Sequence, residues 1–228
     1  MITAVTSTQL NLIGDKMSDR TDLPYEKAIE EAAKTGGKAL DILDKASPAI
    51  GTVYNWMIGD RVTAARERNL DSFQRKTRRI IEERNIADKQ PLPESLALPL
   101  LEAAQGETRE EIQDLYAALL ANAMDPDFTN DVRPAFVETV KALEPFDAKI
   151  LVLVPELAEL SGQYQGKARY SEVVSRLPGK RPTTIQLSID HLVRLGCIAN
   201  AGGLINLTAY GTELLNACDP HAENWVSR

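Results

Sequence analysis

The chain has 228 residues, of which 43% are hydrophobic and 26% charged, and its formal net charge is −7 at pH 7. This composition is typical of a globular protein, with enough length for two small domains. No apolar run approaches the roughly 20 residues that span a bilayer, and the N-terminus lacks the basic-then-apolar layout of a secretion signal. We therefore expect a cytoplasmic protein.

Residues 1–22 are predicted to be a flexible N-terminal segment, called the lead, and residues 23–146 are predicted to form a multi-helix domain. Its longest helix carries Leu70, Phe73 and Ile80 at helical spacing. The same helix holds a candidate basic surface: Arg61, Arg66, Arg68, Arg75, Arg78 and Arg79. A solvated helix face paired with neighbouring acids is the favoured interpretation, and a nucleic-acid or membrane surface is the alternative.

The segment "ETREEIQDLYAALLANAMDPDF" predicts an amphipathic helix that ends before Asp125-Pro126. Its apolar stripe belongs in a core. Three small residues, Ala117, Ala118 and Ala121, widen the surface against which another helix can pack closely. We expect this surface to support self-association, with a homo-dimer as the common mode.

Residues 147–218 predict a winged-helix-like domain, with Asp147 as the N-cap of its first helix and residues 219–228 as a tail. Its third helix begins at Pro182, with a predicted buried face of Ile185, Ile189, Leu192, Val193 and Leu195. Gly202-Gly203 is the predicted turn of a two-stranded wing. The expected fold class is therefore mainly α, with an N-terminal multi-helix domain followed by a C-terminal winged-helix-like domain.

A winged helix suggests DNA binding, and the candidate nucleic-acid contacts are Lys180, Arg181, Arg194, Lys167 and Arg169. However, from Asp147 onward about eight basic residues face about eight acidic ones, whereas a free-standing DNA-binding domain is normally basic. Asp190 would repel phosphate, and the wing sequence "ANAGGL" has no basic residue. DNA binding is therefore possible but expected to be weak.

No catalytic or metal constellation stands out in the sequence. The two histidines, His191 and His221, lack partners at metal or triad spacing and are predicted to be surface or half-buried residues. Cys197 and Cys218 are expected to be small buried hydrophobes. We expect no enzyme activity, no metal and no cofactor.

Five ordered segments, "PLPESLALPLLEAA", "LYAALLANAMDP", "FVETVKALEPFDAKIL", "LVRLGCI" and "INLTAYGTELLNAC", resemble the bacterial Abi-alpha (abortive infection alpha) family. The resemblance runs from about Lys38 to Cys218 and includes "GDRVTAARERNL". It implies a helical protein tied to phage defence, and it supplies no catalytic residues.

Three functions follow from these features. The favoured one is a phage-defence protein that binds an unknown host or phage protein and associates with itself. The second is a winged-helix DNA-binding regulator. The third and weakest is a membrane-acting effector that uses the segment around Trp56 as an interfacial helix, although burial of Trp56 in a core is the favoured explanation and a membrane partner is not expected.

Overall fold

The computed structural model describes residues 64–161 and 166–221. Arg61, Trp56, the lead at 1–22 and the end of the tail lie outside the described residues. All described residues belong to one compact unit. Its elements are α1 (Ala64–Glu83), α2 (Glu94–Gly106), α3 (Glu110–Met124), α4 (Pro134–Ala142), α5 (Pro145–Ser161), β1 (Ala168–Arg169), α6 (Tyr170–Arg176), α7 (Pro182–Arg194), β2 (Ile198–Ala201), β3 (Leu204–Leu207) and α8 (Ala209–Ala217). The mainly helical fold class is thus confirmed.

Helices α1 to α4 form a helical layer, in which α1 packs on both α2 and α3. The predicted stripe of α1 is buried, with Leu70, Phe73 and Ile80 all at most 4% exposed. The stripe of α3 is also buried and includes Tyr116 at 1% exposure. Burial of the helical stripes therefore supplies most of this core.

The three strands form one antiparallel sheet in the order β1-β3-β2. Strands β2 and β3 pair from Ile198↔Leu207 to Ala201↔Leu204. Gly202 and Gly203 join them with φ of 63° and 82°, as a tight hairpin turn with two left-handed residues requires. The predicted two-stranded hairpin therefore gains a third strand, because Ala168 and Arg169 pair with the outer side of β3.

Helix α5 begins at Pro145 and not after Asp147 as the sequence suggested. Proline is well suited to the first position of a helix, where its missing N–H costs no hydrogen bond. Asp147 is the third helical residue, and its Oδ2 accepts a hydrogen bond from the Glu144 N–H at 2.9 Å. It therefore caps the helix from inside the first turn, as the acidic partner of a capping box does.

The last helix, α8, connects the sheet to the helical layer. The Tyr210 hydroxyl lies 2.6 Å from the Thr139 hydroxyl and donates to the Ala135 carbonyl, and its ring meets Phe136 edge-on at 5.4 Å between centroids. On the other side, the Asn122 amide donates to the carbonyls of Ala217 and Asp219. The segments on both sides of the predicted 146/147 boundary are therefore joined by specific contacts.

Helix α8 approaches the backbone of Cys197, the residue before β2, closely at Gly211. A Cβ at this position would overlap the backbone carbonyl of Cys197, whereas a Cβ on Gly106 would meet nothing. We predict that Gly211→Ala destabilises the protein by roughly 3 kcal/mol, because the backbone must shift to make room. The control Gly106→Ala should change stability by less than about 1 kcal/mol. Urea denaturation measures both, and equal midpoints for the two variants would contradict the close approach.

Candidate functional site

Helix α7 divides into a buried side and an exposed side. Ile185, Ile189 and Leu192 are fully buried against the core. Leu187 lies on the opposite side and is 64% exposed, and Val193 lies between the two sides and is 40% exposed. Val193 therefore faces solvent, contrary to the sequence prediction, because it lies just past the edge of the apolar stripe.

These two residues are unusual among the described residues. The exposed large hydrophobics in the described ranges are Leu160, Leu187 and Val193, so two of the three lie on α7. Between them stands Asp190, which accepts a hydrogen bond from the Gln186 amide at 2.8 Å. The exposed residues Leu187, Asp190 and Val193 are here called the α7 face. Two of them are apolar and one is acidic.

A buried carboxylate fixes α7 against α5. His191 Nδ1 lies 2.8 Å from Asp147 Oδ2, the same oxygen that accepts the Glu144 N–H. The Asp147 side chain is 2% exposed and the His191 side chain 26%. Because a carboxylate only accepts hydrogen bonds, the imidazole donates through Nδ1. His191 is half-buried as predicted, but it has a partner that its spacing of 44 residues from Asp147 did not reveal.

A cleft of about 400 Å³ lies beside this pair, lined by Phe146, Thr184, Leu187, Ser188, His191 and Arg194 among others. An aspartate and a histidine are two members of a catalytic triad, whose third member is a hydroxyl bonded to the imidazole. In the described ranges no hydrogen bond joins the hydroxyl of Ser188 or Thr184 to His191. The pair thus orients the imidazole without an attached nucleophile.

Arginine 109 extends this polar network towards the helical layer. Its guanidinium donates to both carboxylate oxygens of Glu107, at 2.9 and 2.7 Å, and to the carbonyl of Leu143 at 3.0 Å and the carboxylate of Glu144 at 3.1 Å. The hydrogen bonds that Arg109 donates to Glu107 lower the pKa of Glu107, and the same hydrogen bonds raise the pKa of Arg109. The α2–α3 loop is therefore tied to the start of α5. No sequence motif indicates this network, because Arg109 and its partners Leu143 and Glu144 are more than 30 residues apart.

The candidate nucleic-acid contacts lie at separate places. Lys180 and Arg181 precede α7 and Arg194 ends it, so they stand about 20 Å apart along the helix axis. Lys180 Nζ lies over the Phe146 ring, 5.1 Å from its centroid. Lys167 and Arg169 lie at β1, and the Arg169 N–H donates to Glu172. The two ends of α7 are therefore basic while its middle is not.

Two arginines of α1 form ion pairs along the helix. Arg75 pairs with Asp71 at 2.6 Å and Arg79 with Glu83 at 3.9 Å, both at a spacing of four residues. Arg78 also interacts with another group, whereas Arg66 and Arg68 are exposed. Ion pairs at this spacing are typical of a solvated helix face, and the role of this basic surface stays a prediction.

Lys76 of α1 and Arg84, which directly follows α1, contact α3 and the residue after it, which the sequence did not indicate. Lys76 Nζ lies 2.8 Å from Asp114 Oδ1. Arg84 pairs with Asp125 and also donates to the side-chain oxygen Oδ1 of Asn122. Because Asn122 in turn holds the end of α8, this cluster is part of the packing of the fold.

The small residues of α3 do not provide a surface for self-association. Ala117, Ala118 and Ala121 are each 0% exposed. They lie in the core that the protein's own helices form, so their small size lets those helices approach and offers nothing to a second copy. The predicted association surface is therefore a packing surface within the protein's own core.

Both cysteines are buried and free, as expected of small hydrophobes. Burial raises the pKa of Cys197 to about 11 and raises that of Cys218 further. Since the thiolate is the reactive form, neither thiol is activated. In the described part of the chain, no group of three His, Cys, Asp or Glu side chains could hold a metal ion.

The contact between Asp147 and His191 can be tested by stability measurements. We predict that Asp147→Ala costs about 1–3 kcal/mol, because a buried N–H and the imidazole lose their acceptor. The control Asp190→Ala removes an exposed aspartate and should cost no more than about 0.5 kcal/mol. A double-mutant cycle with His191→Ala in urea denaturation measures the coupling, expected to be at least about 0.5 kcal/mol. Additive effects of the two substitutions would show that the pair is not coupled.

A family model described as "Abortive infection alpha" matches residues 65–218, which is more than half of the chain. The match begins one residue into α1 and ends just after α8, so it covers both the helical layer and the sheet. Comparison with curated proteins and with solved structures finds no match. The family suggested by the sequence motifs is confirmed: the chain belongs to the Abortive infection alpha family.

Proposed function

We propose that this chain is a non-enzymatic phage-defence protein of the abortive-infection type that acts by binding other proteins through the α7 face. Family membership supports the defence role. The observation that carries the binding role is the exposure of Leu187 and Val193 on one helix. Covering apolar surface stabilises a complex by about 25 cal/mol per Å² removed from water.

The charge of the α7 face favours protein over DNA as the partner. Affinity for DNA comes largely from cations that neutralise phosphates, and an exposed recognition helix places such groups along its length. The middle of α7 instead presents Leu187, Asp190 and Val193. Contact with a protein partner would remove the two apolar side chains from water and leave Asp190 free to pair with a cation.

A DNA-binding regulator is the second candidate, and the order of elements favours it. Helix α5, strand β1, helices α6 and α7 and the hairpin β2–β3 follow one another as in a winged helix. Lys180, Arg181 and Arg194 would supply the phosphate contacts. We place this function second because fold alone does not assign function and because the hairpin lacks basic residues.

Self-association and a cytoplasmic location belong to the same proposal. The partner on the α7 face is a second copy of the chain or a host or phage protein. A membrane-acting effector is the weakest alternative, since it depends on the segment around Trp56, which lies outside the described residues. None of the helices that the structure describes has the length and apolar character needed to cross a membrane.

Introducing a charge on the α7 face tests the proposal. We predict that Leu187→Glu abolishes protection against the phage that the chain normally restricts, measured as the efficiency of plaquing, because the contact would bury an unpaired carboxylate. The matched control is Leu160→Glu, since Leu160 is 71% exposed and lies on α5. Both variants should unfold at the same urea concentration as the unmodified protein.

The outcomes separate the two candidate functions. Protection lost only in Leu187→Glu supports protein binding. Protection retained in Leu187→Glu but lost in the pair Arg181→Glu and Arg194→Glu would contradict it and favour DNA binding.

A further inference from the structure

A second cleft lies on the other side of Phe146, between α3, α5 and the end of α6. It has a volume of about 570 Å³ and is lined by three cations, Lys149, Arg176 and Lys180. They come from three different segments: α5, the end of α6 and the loop before α7. The one carboxylate among its lining residues is Glu111, so the cationic cleft carries an excess of about two positive charges.

These three cations differ from the basic residues that form ion pairs between segments. Lys76, Arg84 and Arg109 each reach a carboxylate of another segment. Lys149, Arg176 and Lys180, by contrast, form no ion pair within residues 64–161 and 166–221. Like charges gathered in one cleft repel one another, and an anion between them would remove that cost. The chain as a whole is acidic, with a net charge of −7. A cluster of cations in such a chain therefore indicates a local site for an anionic ligand.

The turn that precedes α7 fixes the backbone position of Lys180 before any ligand binds. Leu177-Pro178-Gly179-Lys180 forms a turn in which the Lys180 N–H donates to the Leu177 carbonyl at 3.3 Å. Gly179 adopts φ of 84°, and proline followed by a left-handed glycine is the signature of a type II turn. The Lys180 ammonium group also makes a cation–π contact with the Phe146 ring, which restricts its position. Less conformational freedom is therefore lost when Lys180 binds a ligand.

An apolar cleft adjoins the cationic one. It has a volume of about 520 Å³ and shares Glu111, Lys149 and Arg176 with the cationic cleft. Its other lining residues include the apolar side chains of Leu115, Val152 and Leu153 and the carboxylates of Asp114 and Glu156. Volumes of this size are typical of sites for small organic ligands. Together the two clefts suit a ligand with an anionic group at one end and an organic group at the other.

We propose that the cationic cleft binds a phosphate monoester, with the phosphate among Lys149, Arg176 and Lys180 and the organic group in the adjoining apolar cleft. A phosphate monoester carries between 1.5 and 2 negative charges at neutral pH, which is about the charge excess of the cleft. The Arg176 guanidinium offers paired N–H donors and the two ammonium groups offer compact charges, both of which suit phosphate oxygens. A single carboxylate would neutralise only part of the excess.

The ester could belong to a free metabolite or to a phosphorylated side chain of another protein, since both present the same group. Isothermal titration calorimetry on the full chain distinguishes them, with inorganic phosphate, adenosine monophosphate and a phosphoserine peptide as probes at fixed ionic strength. Tighter binding of the nucleotide than of the peptide identifies a metabolite, and the reverse order identifies a phosphoprotein. Acetate serves as the singly charged comparison, and acetate binding as tight as phosphate would overturn the proposal.

The variant pair Lys149→Gln and Arg176→Gln should weaken binding of the preferred ester by roughly tenfold or more, because each charged hydrogen bond contributes about this factor. The matched control replaces one lysine and one arginine elsewhere, as Lys141→Gln with Arg66→Gln, and should leave affinity unchanged. All four side chains are exposed, so folding should persist, and equal thermal midpoints verify it. Should the pair fail to fold, Lys180→Gln alone replaces it, with a loss of affinity again expected. No ester binding by the unmodified chain, or equal affinity in both variant pairs, would overturn the proposal.

Discussion

The arrangement of α7 depends on one buried carboxylate. Asp147 lies in the first turn of α5, where the partial positive charge of the helix N-terminus favours an anion. A single oxygen of this carboxylate meets both the Glu144 N–H and the His191 imidazole. Helix α5 contacts α6, α7, α8, β1 and β3, so fixing its first turn also fixes the elements that surround it. Without these partners, burial of the Asp147 carboxylate would lower the free energy of unfolding.

The same junction joins the two halves of the chain. Arg109 from the α2–α3 loop holds the Leu143 carbonyl and the Glu144 carboxylate, two residues that immediately precede α5. The network thus runs from Glu107 through Arg109 and Glu144 to Asp147 and His191. His191 anchors α7 from a position one helical turn after Leu187, and both residues line the same cleft. The structural contact and the proposed binding face are therefore neighbours on α7, with Leu187 more exposed than His191.

Much of the fold could be predicted from periodicity and turn residues. The buried stripes of α1 and α3, the start of α7 at Pro182 and the Gly202-Gly203 turn all follow from local sequence rules. Periodicity states which side of a helix is apolar, but not what covers it. For that reason Ala117 suggested a surface for a second copy, although the protein's own core encloses it, and Val193 appeared to belong to the buried face.

The candidate site was harder to predict because its contacts join residues far apart in sequence. Asp147 and His191 are separated by 44 residues, and Arg84 and Asp125 by 41. Charge spacing within one helix cannot reveal such pairs. The exposure of Leu187 also depends on how α7 packs, since a leucine at the border of an apolar stripe can lie on either side. Lys180 was predicted as a nucleic-acid contact, and only the position of Phe146 shows that it belongs to a cleft.

Photocrosslinking from the α7 face in infected cells tests the central claim most directly. A photoreactive amino acid replaces Leu187, and a second version carries it in place of Leu160 as the control. The account predicts an adduct at position 187 that resists nuclease, is degraded by protease and is absent at position 160. An adduct at position 187 that nuclease removes, or the same adducts at both positions, would contradict the proposal that the α7 face binds protein.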